Sequence, residues 1–330
     1  MKRILIVAVI LTAGAVLKAQ TVQQYTMYNL NHFIVNPAAA GNENFADIRM
    51  GYRKQWTGID VAPSTYYVSG HTVLNRPKNY MRSAVRMSNS WGQRSRAKPM
   101  IKHAVGGVIN SSEFGAFKRL EGTGTYALHL PLNRDISISM GLSAGFKSFS
   151  FDESKGGVLY TGDPVFDAYA SSGNSNKFNM NTGVYAYSDK FYIGYSAQQL
   201  IRSEIGLSNL KIETGSERFQ IYHYAMAGYH FDITNEIRLS PGFLLKKVGN
   251  NPLSYDINAL LTYKQFLSAG LAYRSQDAVS VMFSYDINGI LKIGYSYDYN
   301  ISEIRSVSSG SNELFIGVSI YSLFGKAASF

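Results

Sequence analysis

Apolar residues occupy every second position along residues 281–287 and again along residues 293–299, and Asn288-Gly289 lies between the two runs. A period of two predicts a β-strand with two unlike faces, and Asn-Gly favours a tight hairpin turn. The stretch therefore predicts a β-hairpin with one apolar and one polar side. The apolar side holds Val281, Phe283, Tyr285, Ile287, Ile293, Tyr295, Tyr297 and Tyr299.

The same alternation recurs along most of the chain and predicts fourteen strands. Most of them reach the nine to eleven residues that a tilted strand needs to cross a bilayer. Strands of soluble sheets are usually about five or six residues long. The predicted strands are 46–56, 64–74, 103–115, 118–132, 135–151, 177–188, 190–201, 218–233, 237–249, 253–264, 266–277, 278–288, 291–302 and 312–322.

The lengths of the predicted connections alternate along the chain. The connections after the even-numbered strands four to twelve are tight, whereas those after strands five, seven and thirteen are long and polar. Short turns at one rim and long loops at the other are typical of outer-membrane barrels, which in bacteria have an even number of strands. We therefore predict an all-β, transmembrane antiparallel β-barrel. A secreted β-sandwich or propeller is the alternative.

In such a barrel, the face that holds Ile293 and Tyr295 contacts lipid, and the face that holds Lys292, Ser296 and Asp298 points inward. The composition agrees with this, because charged residues make up only 16% of the chain, against about 25% in soluble proteins. The 24 tyrosines suit a boundary between lipid and water.

The N-terminus has the pattern of a secretory signal peptide. Lys2 and Arg3 precede an apolar run at residues 4–16, and Ala19-Gln20 fits a cleavage site. The apolar run is too short to span a membrane, which takes about 20 residues. We therefore predict that residues 1–19 direct export and that the mature protein resides in the bacterial outer membrane.

The sequence offers little catalytic or metal-binding chemistry. It contains no cysteine, and its six histidines show no ligand spacing such as His-x-x-x-His. No nucleophile or phosphate-loop motif is present. We therefore predict no enzymatic activity, no metal and no cofactor. An exported chain also excludes nucleic acid as a partner.

One predicted connection, residues 75–102, departs from the alternation of loop lengths, because it is long where a short turn is expected. It contains many cations and no acid, which makes a concentrated positive field. This connection could bind an acidic periplasmic partner or contact the phosphates of anionic lipids. The third interpretation is a solvated basic loop with no partner. The basic residues are Arg76, Lys78, Arg82, Arg86, Arg94, Arg96, Lys98 and Lys102.

The region between the signal peptide and the first strand, residues 20–45, contains the stiff sequence Asn36-Pro37-Ala38-Ala39-Ala40-Gly41. Proline fixes its own backbone angle and restricts the preceding residue. We predict that Asn36, Pro37, Ala38, Ala40 and Gly41 shape a turn or a plug that folds into the lumen of the barrel formed by residues 46–330.

The order of several motifs resembles the PorP/SprF family of the type IX secretion system. The family opens with Gln-Tyr, Asn and Asn-Pro-Ala-x-Ala-Gly, and continues with Arg-x-Gln-Trp-x-Gly and Ala-Pro-x-Thr. The chain departs from it at Ala39, where an aromatic residue is usual, and in the basic connection 75–102. The matching residues are Gln24, Tyr25, Asn29, Asn36, Pro37, Ala38, Ala40, Gly41, Arg53, Gln55, Trp56, Gly58, Ala62, Pro63 and Thr65.

The resemblance implies a non-enzymatic outer-membrane protein that works with other type IX components and supports export or surface attachment of cargo, such as a gliding adhesin. Long loops at about 152–176, 202–217 and 303–311 would meet the cargo outside. Arg53, Gln55, Trp56, Gly58 and Pro63 are then expected at the barrel wall or rim. A fatty-acid-type transporter of hydrophobic molecules and a diffusion porin remain as alternatives.

Overall fold

The computed structural model of the protein describes residues 23–43, 45–75, 100–152, 175–201 and 220–320. Its strands overlap all fourteen predicted segments, although several are shorter than predicted and the predicted strand 218–233 is observed as two segments. They are β1 Ala46–Lys54, β2 Ser64–Val73, β3 Lys102–Phe114, β4 Phe117–Pro131, β5 Ser137–Phe151, β6 Ser175–Tyr187, β7 Phe191–Gln198, β8 Tyr222–Tyr229, β9 Phe231–Asp232, β10 Ile237–Val248, β11 Ser254–Tyr263, β12 Leu267–Arg274, β13 Ala278–Ile287, β14 Leu291–Asn300 and β15 Ser311–Ile320.

The strands form one closed antiparallel sheet. Strands β8 and β9 are separated only by His230 and pair with the same strand, β10. The fifteen segments therefore form fourteen wall strands of the barrel, which we call staves. The first strand pairs with the last, with Arg53 opposite Glu313. Closure leaves no unpaired edge, which a backbone in lipid requires. The predicted fourteen-stranded barrel is therefore confirmed.

The outer wall of the barrel is apolar and the inner wall is polar. On β14, Tyr295 is 40% exposed whereas the neighbouring Ser296 is fully buried. On β5, Met140 and Leu142 face outward while Ser139 and Ser143 face inward. This confirms the predicted assignment of the two faces, because only an apolar surface is stable against acyl chains.

One rim of the barrel carries short connections, which we call the short-turn end. Five of them, 132–136, 188–190, 233–236, 264–266 and 288–290, have five residues or fewer. Asn288 and Gly289 both have a left-handed φ, as a tight hairpin turn requires.

The opposite rim carries the connections 55–63 and 301–310, and we call it the long-loop end. Residues 301–310 contain a 3₁₀ turn, Glu303–Ser306. Connections 115–116, 249–253 and 275–277 at this rim are short. Most of the predicted loops 152–176 and 202–217 lies outside the described residues, as do the predicted signal peptide 1–19 and positions 76–99 of the basic connection.

Residues 23–41, which we call the plug segment, cross the lumen. They form three short 3₁₀ turns, Thr26–Leu30, His32–Ile34 and Pro37–Ala39. Thr26 contacts Arg53 near the long-loop end of β1, whereas Gly41 contacts His71 near the short-turn end of β2. The segment therefore descends the whole lumen before the chain enters the wall as β1. Within the described ranges, no helix has both the length and the apolar character to cross a bilayer.

Candidate functional site: a latched plug inside the barrel

The turn at Asn36 is fixed by the side chain of that residue. Its Oδ1 accepts a hydrogen bond from the Ala38 backbone nitrogen at 2.9 Å, as an N-cap does. Its Nδ2 donates to the carbonyl oxygens of Val184 and Tyr195, at 3.0 and 3.4 Å. Asn36 therefore shapes the turn and also attaches it to β6 and β7 of the wall.

Three glycines of the wall make room for this turn. A Cβ on Gly183 would lie 2.1 Å from Asn36 Oδ1, and a Cβ on Gly194 would lie 2.7 Å from Asn36 Nδ2. A Cβ on Gly141 would lie 2.4 Å from the Ala38 backbone nitrogen. Gly141 and Gly183 are also cross-strand partners in the β5–β6 ladder. The wall thus forms a recess that only residues without a side chain can line.

Polar groups of the wall satisfy the carbonyls of the plug segment. Ser139 Oγ donates to the Ala38 carbonyl at 2.6 Å, and Ser196 Oγ donates to the Val35 carbonyl at 2.7 Å. His129 Nε2 lies 2.7 Å from the Ala40 carbonyl. A buried carbonyl without a partner would cost about 1–3 kcal/mol, so these contacts make burial of an irregular backbone possible.

At the long-loop end, Thr26 lies among four charged side chains. Its backbone nitrogen donates to Glu313 Oε2 at 2.7 Å, and its hydroxyl donates to an Asp298 oxygen at 2.8 Å. The same hydroxyl accepts from Arg53 Nη1 at 2.9 Å and from Arg274 Nη2 at 3.0 Å. We call this arrangement the latch, because one residue of the plug segment joins four inner-wall side chains.

The charged groups of the latch also pair with each other. Arg53 lies 2.6 Å from Asp298 and 3.3 Å from Glu313, and all three side chains are at most 1% exposed. Arg274 continues the network to Asp298 at 3.3 Å. Hydrogen bonds between ionised groups are roughly twice as strong as neutral ones. Buried charges persist only when they are paired in this way.

The network extends around the inner wall beyond the latch. Arg274 lies 3.5 Å from Asp256, which accepts a hydrogen bond from Lys246 at 2.6 Å. The participating side chains come from β10, β11, β12, β14, β15 and β1. This network of charged side chains therefore connects six of the fourteen staves and bridges the seam between the first and last strands.

A small cavity remains beside the plug segment. Its volume is about 60 Å³, and Asn110, Glu121, Thr125, Asn181 and Tyr224 are among the side chains that line it. A ligand pocket for a drug-sized molecule usually has about 300–1,000 Å³. The cavity has room for a few water molecules and is much smaller than such a pocket.

Burial shifts the titration of side chains within the plug segment. Desolvation lowers the pKa of His32 to about 3, with smaller contributions from the nearby Arg49 and His230. Burial also raises the pKa of Tyr25, an effect that Glu121 reinforces. His32 is therefore neutral at physiological pH, with its Nδ1 2.9 Å from the Tyr185 hydroxyl.

The structure brings the predicted turn residues together. Asn36, Pro37, Ala38 and Ala40 are buried in the lumen, and Gly41 follows them with a left-handed φ of 79°. Of the basic residues predicted for connection 75–102, Lys102 is the one among the described positions. Its Nζ lies 3.3 Å from the Gly41 carbonyl.

The residues of the Arg-x-Gln-Trp-x-Gly motif are divided between the lumen and a loop. Arg53 points into the lumen and belongs to the latch, whereas Trp56 and Gly58 lie in the β1–β2 connection at the long-loop end. Gln55 is buried at the base of this connection, where its backbone nitrogen donates to the Pro63 carbonyl at 2.9 Å.

Sequence reasoning placed Asp298 on the inner face but missed that it belongs to a network of buried charges around Arg53. The signal was present in the period-two pattern, because each missed charged residue occupies an inward-facing position of a strand. Thr26 gave no signal of its own. The residues whose part in this network was missed are Thr26, Lys246, Asp256, Arg274, Asp298 and Glu313. Among the described residues, no group of three or more His, Asp or Glu side chains is arranged to hold a metal ion.

A closed fourteen-stave barrel with an apolar outer wall and a lumen filled by its own N-terminal segment defines an outer-membrane β-barrel protein. Residues 17–318 match the sequence model of the family described as type IX secretion system membrane protein PorP/SprF. The chain therefore belongs to this family, as its motif order predicts.

The chain is similar to several solved outer-membrane proteins at low sequence identity. A Pseudomonas aeruginosa FadL homologue is 11% identical, with coverage of 86% of this chain and 91% of its own and a TM-score of 0.48. The Ralstonia pickettii toluene transporter TbuX is 8% identical, with coverages of 88% and 92% and a TM-score of 0.49. The Acinetobacter baumannii outer membrane protein Omp33 is 8% identical, with coverages of 85% and 100% and a TM-score of 0.45. No curated protein matches the chain.

Proposed function

We propose that this protein is a non-enzymatic subunit of the type IX secretion machinery that supports export or surface attachment of cargo proteins, such as an adhesin used in gliding. Membership of the PorP/SprF family is the observation that carries the proposal. The family implies other secretion components as partners, and outer-membrane lipid surrounds the barrel. Cargo would meet the long-loop end, which faces the cell exterior in barrels of this kind.

The filled lumen supports a role at the surface of the barrel. The plug segment and its hydrogen bonds occupy the space through which a solute would pass, from Thr26 at one end to Gly41 at the other. The long-loop end then remains as the place where a barrel subunit can present side chains to another protein. Glu303, Arg305 and Val307 are exposed there.

The same geometry disfavours the two alternatives. A transporter of hydrophobic molecules needs an apolar passage, whereas the inner wall carries serine, asparagine and paired charges. A permanently open diffusion porin needs a lumen without a plug, and barrels with that property usually have sixteen to eighteen strands.

Deleting the gene tests the proposal. The expected result is that proteins with a type IX sorting domain accumulate inside the cell, and that surface labelling of the adhesin is lost. The wild-type gene should restore both. Normal export and display of every such cargo in the deletion strain would contradict the proposed role.

A matched pair of complementing genes tests where the cargo docks. The triple variant Glu303→Ala, Arg305→Ala and Val307→Ala changes the long-loop end, and Glu236→Ala changes the short-turn end. We expect only the triple variant to reduce display, at an equal amount of barrel in the outer membrane. Equal display with both genes would place the cargo contact elsewhere.

A further inference from the structure

The sheet of the barrel is complete without the plug segment. Every stave pairs with two neighbours, and β1 pairs with β15, so main-chain hydrogen bonds alone close the cylinder. The plug segment contributes no strand to this sheet. Departure of the segment would therefore leave the backbone of the wall satisfied, which is the condition for stability in lipid.

The surface beneath the plug segment is suited to water. Ser139, Ser196 and His129 contact carbonyls of the segment and would bind water equally well in its absence. The wall side of the core clusters includes Met226, Leu244 and Val73, but its largest side chains are tyrosines, whose hydroxyls tolerate a wet environment. These wall tyrosines are Tyr67, Tyr185, Tyr187, Tyr192 and Tyr224.

The latch survives the loss of its plug residue. Arg53, Asp298, Glu313 and Arg274 are joined by direct ion pairs in which Thr26 takes no part. The bonds to the Thr26 nitrogen and hydroxyl, and the bond from Arg274 Nη1 to Gln24 Oε1 at 3.0 Å, need to be replaced by water. At this end the latch thus holds the plug segment through two uncharged residues, Thr26 and Gln24, while the charges that hold them remain paired with each other.

We infer that residues 23–41 form a displaceable plug, that its release begins at Thr26, and that release opens a passage for ions and small hydrophilic solutes. The passage would be lined near the long-loop end by charges of both signs from the latch. A barrel of fourteen staves lies between eight-stranded barrels, which side chains fill, and the open sixteen-stranded porins. The inference goes beyond the proposed role in secretion and does not depend on any cargo.

Single-channel conductance of the full chain in a planar lipid bilayer tests the inference. Thr26→Val removes the hydroxyl but keeps the shape of the side chain and the backbone donor. Because the hydroxyl bonds to charged groups, which are stronger than bonds between neutral groups, we expect its loss to increase the open fraction at least about tenfold. Thr234→Val, in a turn at the short-turn end, is the matched control and should conduct as the wild type does.

A reversible lock provides the second measurement. The chain has no cysteine, and Asn31 Nδ2 of the plug segment lies 2.9 Å from Ser69 Oγ of the wall. The double variant Asn31→Cys, Ser69→Cys should close the barrel when oxidised and allow openings again when reduced. The conductance of either single variant should be unchanged when reductant is added.

Two outcomes would overturn the inference. One is a folded Thr26→Val barrel, recognised by its heat-dependent shift on a gel, with the same open fraction as the wild type. The other is a disulfide-linked double variant that conducts as often as its reduced form. If Thr26→Val does not fold, the oxidised and reduced double variants decide the question alone.

Discussion

Arg53 on the first strand lies 2.6 Å from Asp298 on the penultimate strand, and this contact joins the two ends of the chain's sheet inside the barrel. Glu313 on the last strand lies 3.3 Å from the same guanidinium. The seam between β15 and β1 is thus secured by side chains as well as by main-chain hydrogen bonds.

Replacing Arg53 should destabilise the barrel strongly. Arg53→Ala leaves Asp298 and Glu313 without a main partner, and loss of one member of a buried ion pair costs about 3–5 kcal/mol. Arg53→Lys keeps the charge but loses the fork geometry, so its effect should be intermediate. Urea unfolding in detergent measures the free energy. Lys118→Ala, which breaks an exposed pair with Glu113, is the control, and an equal loss in both variants would contradict the role of burial.

Filling the glycine recess should displace the turn at Asn36. In Gly183→Ala the new Cβ would lie 2.1 Å from Asn36 Oδ1, and overpacking of this kind costs about 1–3 kcal/mol. Gly122→Ala is the matched control, because its Cβ would meet open space. Urea unfolding again reports the free energy.

A double variant tests whether the clash is with Asn36 itself. Combining Gly183→Ala with Asn36→Ala removes the opposing amide, so the two costs should sum to more than the cost of the double variant. Strict additivity would show that Gly183 is needed for another reason.

Acidification should weaken the packing of the plug segment through His32. Its pKa is about 3 in the folded protein because of burial, whereas an unfolded histidine titrates near 6.5. The contribution to stability is therefore complete above about pH 6.5 and is lost as the pH falls toward 3. The slope approaches about 1.4 kcal/mol per pH unit for one proton.

The variant His32→Phe isolates this effect from other acid titrations. The ring contact with Tyr192, 4.3 Å between centroids, is retained, while the titrating group is removed. Between pH 6.5 and 4, the free energy of unfolding should fall less steeply in the variant than in the wild type. Parallel curves would show that His32 is not buried in the neutral form.

A charged side chain on the lipid-facing wall should destabilise the barrel. Leu142 lies in the middle of β5 and faces outward, and an arginine on the lipid face near the bilayer centre costs about 2–4 kcal/mol. Leu142→Arg should therefore reduce folding into lipid vesicles, measured by the heat-dependent gel shift. Val307→Arg places the same charge in the long-loop connection and should have little effect. A tolerated Leu142→Arg would argue against contact with lipid at this position.

The fold was predictable because every stave obeys one simple rule. Lipid on one side and a polar lumen on the other impose the alternation seen at Tyr295 and Ser296. The polarity of each residue therefore indicates which side of the wall its side chain faces. Turn residues such as Asn288 and Gly289 carry a local signal of the same kind.

The latch was not predictable, because it depends on the closure of the barrel. Thr26 and Glu313 are separated by nearly the whole chain, and nothing in either neighbourhood indicates the other. Arg53 stood out in a family motif, yet its environment could not be read from its position at the end of a strand. Only the register that places Arg53 opposite Glu313 brings the buried charges together.

The downward course of the plug segment has a consequence for biogenesis. The segment is made before every strand, yet the Thr26 contacts require side chains from β14 and β15, which are made last. Secure seating must therefore wait until the C-terminal hairpin has joined β1. The N-terminal residues that come first in synthesis are the last to be fixed, so their retention marks a completed cylinder.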